Sequence, residues 1–257
     1  MMYSKVERWH YIEKRLTAEG RVHVASLAEV LGVVPETVRR DLVELEAEGK
    51  LHRVHGGAVP KHIVQKELAY VRKLEIEYEA KRAIAKYAAT LIRSGDVIAI
   101  DTGTTTVHIA DFISEIERLT VITNSLPAAL RWSDAIEEGR MTGEVILLGG
   151  TLHTAQRAVS GMVTLEQLRP MVIDHAFLSC GGVKDNRLYD YEMNESLVSG
   201  RFIRQSRHRW ILADATKWNC VSFYEVGLLQ DVDGLLINAP EPNDWNEYTK
   251  WIEIGGE

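Results

Sequence analysis

Residues 35–57, PETVRRDLVELEAEGKLHRVHGG, decide the reading of this chain. Pro35 suits the first turn of a helix, where a missing N–H leaves no bond unmade. At 100° per residue, Val38, Leu42 and Leu45 fall on one side and form an inward face. Glu36, Arg40, Val43 and Glu44 fall on the opposite side, with Thr37 and Arg39 flanking them. Gly49 stops the helix. Alternating apolar residues over 50–59 and the pair Gly56–Gly57 predict a strand that enters a tight hairpin.

Upstream, Val6, Trp9, Ile12 and Leu16 have helical spacing, which predicts a helix over 5–18 ended by Gly20. Val22–Val24 is one strand rung. Ser26–Leu31 predicts a second short helix, with Ser26 as its cap and Gly32 as its stop. Two short helices joined by a glycine turn, a third helix and a hairpin make a winged helix-turn-helix. Arg40 then lies near the centre of the exposed face of the third helix, where a recognition helix meets base edges. Glu36, Thr37 and Arg39 surround it, while Arg53 and His55 in the hairpin fall along the phosphate backbone. Three small helices with surface arginines are more often a solvated bundle. What favours double-stranded DNA as the partner is that the pattern fills a detached unit of about sixty residues at the N-terminus.

Composition bounds the rest. The chain has 257 residues and a formal net charge of −7. Residues 1–60 hold nine Lys/Arg and nine Asp/Glu, so the acidic excess lies beyond them. An acidic larger domain argues against DNA wrapping the whole protein. The charged first twenty residues lack the apolar stretch of a signal peptide, and no apolar run approaches a membrane span. Cys180 and Cys220, far apart, imply free thiols in a reducing compartment and no metal-ligand spacing. The expectation is a cytoplasmic protein without cofactor or metal.

Beyond residue 78, helical and strand patterns alternate. Helices are predicted over 78–93, 107–115, up to about 137 and near 193–206, and strands over 97–100, 119–122, 145–148, 175–178, 210–213 and about 233–237. Repeated βα units imply a parallel sheet flanked by helices. The organisation expected is a DNA-binding domain over 1–58, a linker over 59–77 and an α/β domain over 78–257. At least five strands end in polar or glycine-rich clusters, and in an open parallel sheet those ends converge on one rim, where ligands bind. Asp101-Thr102-Gly103-Thr104-Thr105-Thr106 places hydroxyls and a glycine at a predicted helix start, which suits a phosphate or carboxylate. Lys217 adds positive charge from another strand. Asp101 and Asn124 suit sugar hydroxyls. Taken singly, each cluster reads as a cap, a turn or a solvated lysine.

The chain resembles the DeoR family of bacterial repressors. The resemblance rests on Ser26–Leu31, Gly32, Glu36–Leu42, Leu45, Glu48–Gly49 and Arg53–Ala58. It continues through Lys81 with Ile84–Ala85, Gly95–Asp96, Asp101–Thr105, Thr123–Asn124, Gly149–Gly150, Gly181–Gly182 and Asp214–Lys217. It implies a C-terminal domain similar to sugar-phosphate isomerases and CoA transferases that binds a phosphorylated sugar or related metabolite. It also implies effector contacts from Asp101, Gly103, Thr104, Thr105, Thr123, Asn124, Gly149, Gly150, Gly181, Gly182 and Lys217. Val34 departs from the usual Ser or Thr cap of the recognition helix. Asp-Ala-Thr-Lys replaces Asp-Ser-Ser-Lys, and Ser199 stands near where a Lys commonly follows a Glu, here Glu195. The function expected is a repressor of carbohydrate-metabolism genes, released from its operator by a phosphorylated sugar. One recognition helix reads few base pairs, so a homodimer or homotetramer is expected. The competing class is a sugar-phosphate isomerase with an appended nucleic-acid-binding module, for which Asp101, Glu192 or Glu195 would serve as base.

Overall fold

Val38, Leu42 and Leu45, the inward face expected of the third helix, are each at most 1% exposed in the computed structural model. The structure describes residues 3–19, 22–54, 56–60, 70–243, 245 and 249–255. The chain divides into two units, Met1–Glu67 and Leu68–Glu257.

The small unit runs α1 (Lys5–Glu19), β1 (Val22–His23), α2 (Val24–Leu31), α3 (Pro35–Ala47), β2 (Leu51–Val54) and β3 (Gly57–Pro60). Its strands form an antiparallel sheet in the order β1-β3-β2. Ile12, Leu16, Leu27, Leu31 and Leu51 close the core around α3. Pro35 opens α3 after an extended Val34 whose side chain makes no capping bond. Gly32 ends α2 in the left-handed region, at φ 65°. One expectation is corrected here. Ser26 is not the cap of α2, because β1 passes directly into the helix at Val24, and the Val24 N–H donates to the Gly56 carbonyl at 2.8 Å. Gly57 is dictated by proximity, since a Cβ there would stand 1.9 Å from the Val22 carbonyl oxygen.

The sequence reading missed a charge inside this core. Asp41 is 3% exposed and accepts from Arg8 Nε at 2.7 Å, Arg8 Nη2 at 2.9 Å and Trp9 Nε1 at 3.2 Å. The bidentate pair fastens α1 to α3 and raises the Arg8 pKa.

The larger unit begins with α4 (Tyr70–Glu75) and α5 (Tyr78–Ala89). Then follow β4 (Val97–Ile100), a 3-10 segment (Thr106–Phe112), β5 (Ile116–Thr123), α6 (Leu126–Glu137), β6 (Met141–Leu147), β7 (Thr151–His153), β8 (Ala158–Ser160), α7 (Met162–Leu168) and β9 (Ile173–Leu178). The unit continues with β10 (Gly182–Lys184), β11 (Arg187–Asp190), α8 (Met193–Gln205), β12 (Ser206–Ala213), β13 (Tyr224–Leu228), β14 (Gly234–Ile237) and β15 (Lys250–Glu253). Seven strands form one parallel sheet in the order β15-β14-β12-β9-β4-β5-β6. Its two faces are both covered. Ile98, Ile100, Phe177 and Leu212 pack with α5, α6 and the 3-10 segment, while Ala99, Ala176, Leu178 and Ile211 pack with α7 and α8. This is why the strands read as unbroken apolar runs. From β4 the chain winds to β6 at one edge, then crosses to β9 on the other side of β4. The topological switch therefore lies between β4 and β9.

Several expectations shift. The helix expected over 78–93 ends at Ala89, and the one expected over 107–115 is the 3-10 segment. The antiparallel hairpin β7–β8, the small sheet β10-β11-β13, α7 and β15 have segments too short for periodicity to announce. Of the linker expected over 59–77, Val59 and Pro60 belong to β3, and α4 packs in the larger unit through the buried Tyr70. Residues 61–69 of it lie outside the described residues.

Asp41→Ala would strip Arg8 and Trp9 of their shared acceptor. The expected loss is about 2–3 kcal/mol in the small unit. Hydrogen exchange on the full chain would read it as a roughly 30- to 150-fold fall in protection of α1 and α3 amides, with the larger unit unchanged. Undiminished protection would show that the pair does not hold α1.

Candidate functional site

On α3, Glu36, Arg39, Arg40 and Val43 are exposed and Thr37 is half-buried. Arg39 Nη1 lies 3.0 Å from the Glu36 carboxylate, an exposed pair that adds little stability. Arg40 has no hydrogen bond or ion pair among the described residues. Its fork of donors is therefore open to a base edge. Arg53, on β2, is engaged: its Nε lies 2.8 Å from Glu46 Oε2, and its N–H donates to Oε1 at 2.8 Å. A phosphate contact by Arg53 requires the guanidinium to share or leave Glu46. His55 lies outside the described residues.

In the larger unit, five adjacent strands deliver the expected effector residues to one rim. Lys217 follows β12, Gly181 and Gly182 follow β9, the 101–105 loop follows β4, Thr123 and Asn124 stand at the end of β5, and Gly149–Gly150 follow β6. Asp101, Thr104, Thr105, Thr123 and Asn124 are all buried. Asp101 accepts from Ser199 Oγ at 2.6 Å and from the Thr102 N–H at 2.8 Å. Burial dominates those two bonds and pushes the Asp101 pKa up to about 8. The Thr123 hydroxyl donates to the Ile100 carbonyl at 2.6 Å and serves the backbone. Asn124 differs, because both polar atoms of its amide are buried without a hydrogen-bond partner. Such a group needs an explanation, and a ligand supplies one.

The glycines turn out to answer to the protein itself. A Cβ on Gly103 would stand 1.9 Å from Ser179 Oγ, and one on Gly182 would stand 2.3 Å from the Cys220 carbonyl oxygen. Gly150, at φ 149°, is pressed by Thr164 and Ser160, while the Gly149 N–H donates to Gln167 at 2.8 Å. Gly181 packs against Tyr191. The helix start behind the 101–106 loop is also absent, since Thr105 caps a 3-10 segment without a side-chain bond.

Lys217 is half-buried, with Nζ 5.9 Å from the Tyr191 ring centroid. A second cation joins it. Lys81 on α5 is 4% exposed, and its amine donates to the Lys73 carbonyl at 2.5 Å. Burial lowers its pKa to about 8; Asp214 opposes the shift and Lys217 adds to it, so the three groups feel one another. The sequence carried a signal for Lys81. It shares the inward stripe of α5 with Ile84, Ala85 and Ala88, where a charge is out of place. Ser179, whose Oγ is buried without a partner among the described residues, gave none, and of the pair His153 Nδ1–Glu195 Oε1, at 2.7 Å, only Glu195 was singled out. Cys180 is a buried thiol held at a pKa of about 12 by burial, hence inert. Among the described residues, no cluster of three or more His, Cys, Asp or Glu is placed to hold a metal ion, and no helix is long and apolar enough to cross a membrane.

Fold and site define a two-domain regulator, a DNA-binding helix-turn-helix followed by a sensor domain. The DeoR-like helix-turn-helix domain matches residues 8–63, and the DeoR C terminal sensor domain matches residues 76–239. The chain belongs to the DeoR family of transcription regulators. It is 41% identical to an uncharacterized HTH-type transcriptional regulator of Staphylococcus epidermidis, over 84% of this chain and 85% of that protein. It is 32% identical to the lactose phosphotransferase system repressor of Streptococcus mutans, over 97% of this chain and 98% of that one. Among solved structures, a D-ribose-5-phosphate isomerase in complex with phospho-erythronic acid aligns with a TM-score of 0.39 at 21% identity, over 55% of this chain and 54% of that one.

The raised Asp101 pKa has a consequence for stability. An acid whose pKa climbs from 3.8 to about 8 on folding holds its proton more tightly in the native state. Its stabilising contribution is complete below the unfolded value and is lost as pH rises through about 8. Urea midpoints of the larger unit are expected to fall between pH 4 and pH 9. Asp101→Asn, neutral throughout, should flatten that fall. A variant with the wild-type slope would place the titrating group elsewhere.

Proposed function

We propose that this chain represses genes of carbohydrate metabolism and that a phosphorylated sugar, bound at the sensor rim, releases it from operator DNA. The observation that carries the reading is the pairing of two unlike features on one rim. Lys81 and Lys217 offer charge to an oxyanion, and the buried, unbonded amide of Asn124 offers a donor and an acceptor to hydroxyls. The full-length similarity to a repressor named for a lactose phosphotransferase system supports a sugar-linked role. Residues 1–58 would bind double-stranded DNA, with Arg40 of α3 reading a base and Arg53 of β2 meeting a phosphate. Residues 78–257 would form the sensor. As a repressor acting on operator DNA, the protein would work in the cytoplasm, as a homodimer or homotetramer that spans two half-sites.

The test is operator binding with and without a panel of hexose and pentose phosphates. An effector that prefers the DNA-free form by about 1–3 kcal/mol would lower operator affinity about 5- to 150-fold. Arg40→Ala should cost about 1–3 kcal/mol and relax sequence preference, while Arg53→Ala should weaken all sequences and reduce the salt slope by about one. Lys217→Ala should keep DNA affinity and abolish release. Unchanged operator affinity in both arginine variants would remove α3 as the reading helix. Tighter operator binding with a sugar phosphate would reverse the sign of the switch.

A further inference from the structure

Lys81 does more than line the rim. Its amine bonds a carbonyl in the last turn of α4, where helix carbonyls lack intrahelical partners. α4 is the first described element after residues 61–69, and only Ile76 and Glu77 separate it from α5. Glu77 holds the left-handed conformation, at φ 52°, which a non-glycine residue adopts only when its surroundings impose it. At its other end α4 is pinned by Tyr70, whose N–H donates to the Ala155 carbonyl at 3.0 Å and whose ring lies 5.8 Å from the Arg157 guanidinium. One short helix is thus strapped to the rim at both ends, over a strained joint, and one of its straps is a cation.

We propose that Lys81 is a switch ligand: an oxyanion, the phosphate of the effector, seated with Lys217 and Lys81 takes the Lys81 amine away from the Lys73 carbonyl and frees the C-terminal end of α4. The inference rests on the sugar-phosphate reading above and adds to it the path from pocket to linker. Three observations support it. Among the described residues no carboxylate bonds the Lys81 amine, although the side chain is buried, so its charge is poorly matched where it stands. Lys217 and Asp214 lie within electrostatic reach of it. A charge-assisted bond to a phosphate oxygen is stronger than one to a carbonyl. The switch also meets the thermodynamic requirement that a ligand contact differ between two states, because the amine is on the carbonyl in one and on the anion in the other.

The test uses the full chain, with inorganic phosphate and glucose 6-phosphate as probes and chloride of equal ionic strength as the control. Hydrogen exchange is followed at the amides of residues 71–76, and phosphate affinity by calorimetry. In the wild type, saturation is expected to speed exchange of these amides at least tenfold while the central strands stay protected. Lys81→Met, checked for folding by circular dichroism, should exchange fast without ligand and bind phosphate at least tenfold more weakly. Lys81→Arg should restore slow exchange. The wild-type arm needs no variant, so a Lys81→Met protein that fails to fold leaves the outcome decidable. Phosphate binding with no change over 71–76, or undiminished binding by Lys81→Met, overturns the switch and leaves the sensor reading intact. Binding of neither probe nor any other sugar phosphate overturns both.

Discussion

A parallel sheet buried on both faces has only its strand ends left for polar chemistry, and the larger unit is organised by that constraint. Ile98, Ile100, Phe177 and Leu212 point to one helical layer, and Ala99, Ala176, Leu178 and Ile211 to the other. Charged residues within these strands, such as Asp174 of β9 and Arg207 of β12, sit near their N-terminal ends, away from the rim. Asp101, Ser179, Asn124 and Lys217 therefore appear where the strands stop, and the crossover between β4 and β9 opens the sheet at that point. The location of the site follows from topology, and its character from side chains set just beyond the last apolar residue of each strand.

Much of this was legible because two periods are hard to mistake. The 3.6-residue stripe of Val38, Leu42 and Leu45 and the apolar runs VIAI and WILA each allow one arrangement, and both were read correctly. What escaped had no period to offer. Strands of three residues such as Thr151–His153 and Gly182–Lys184 are set by pairing across the chain, as in Val183 opposite Leu188. Asp41 has no partner within its own helix pattern, and only the fold brings Arg8, thirty-three residues earlier, to meet it. The glycines carry a second constraint that the sequence did not show. Gly103 and Gly182 were expected as effector contacts, and each is also made necessary by a neighbour from a distant segment, Ser179 and Cys220.

The missing lysine at position 199 ties these observations together. Ser199 Oγ lies 2.6 Å from Asp101 Oδ2 and 3.1 Å from the Glu195 carbonyl, so among the described residues the carboxyl meets only neutral hydrogen-bonding groups, Ser199 and the Thr102 N–H. A cation in that place would favour the ionised form of Asp101, since a nearby opposite charge lowers a carboxyl pKa. With serine there, burial prevails and the carboxyl keeps its proton near neutrality, able to donate as well as accept. The positive charge of the rim then rests on the other side of β4, with Lys81 and Lys217 around Asp214. A rim divided in this way, neutral hydrogen-bonding groups at β4 and β5 and cations at α5 and β12, gives a polar ligand a direction. On the proposed function, its anionic end would meet the lysines and its hydroxyls would meet Asp101 and Asn124. That direction would put the charge of the ligand beside α4, the first described helix after the small unit, so the serine at 199 would bear on where a bound anion acts.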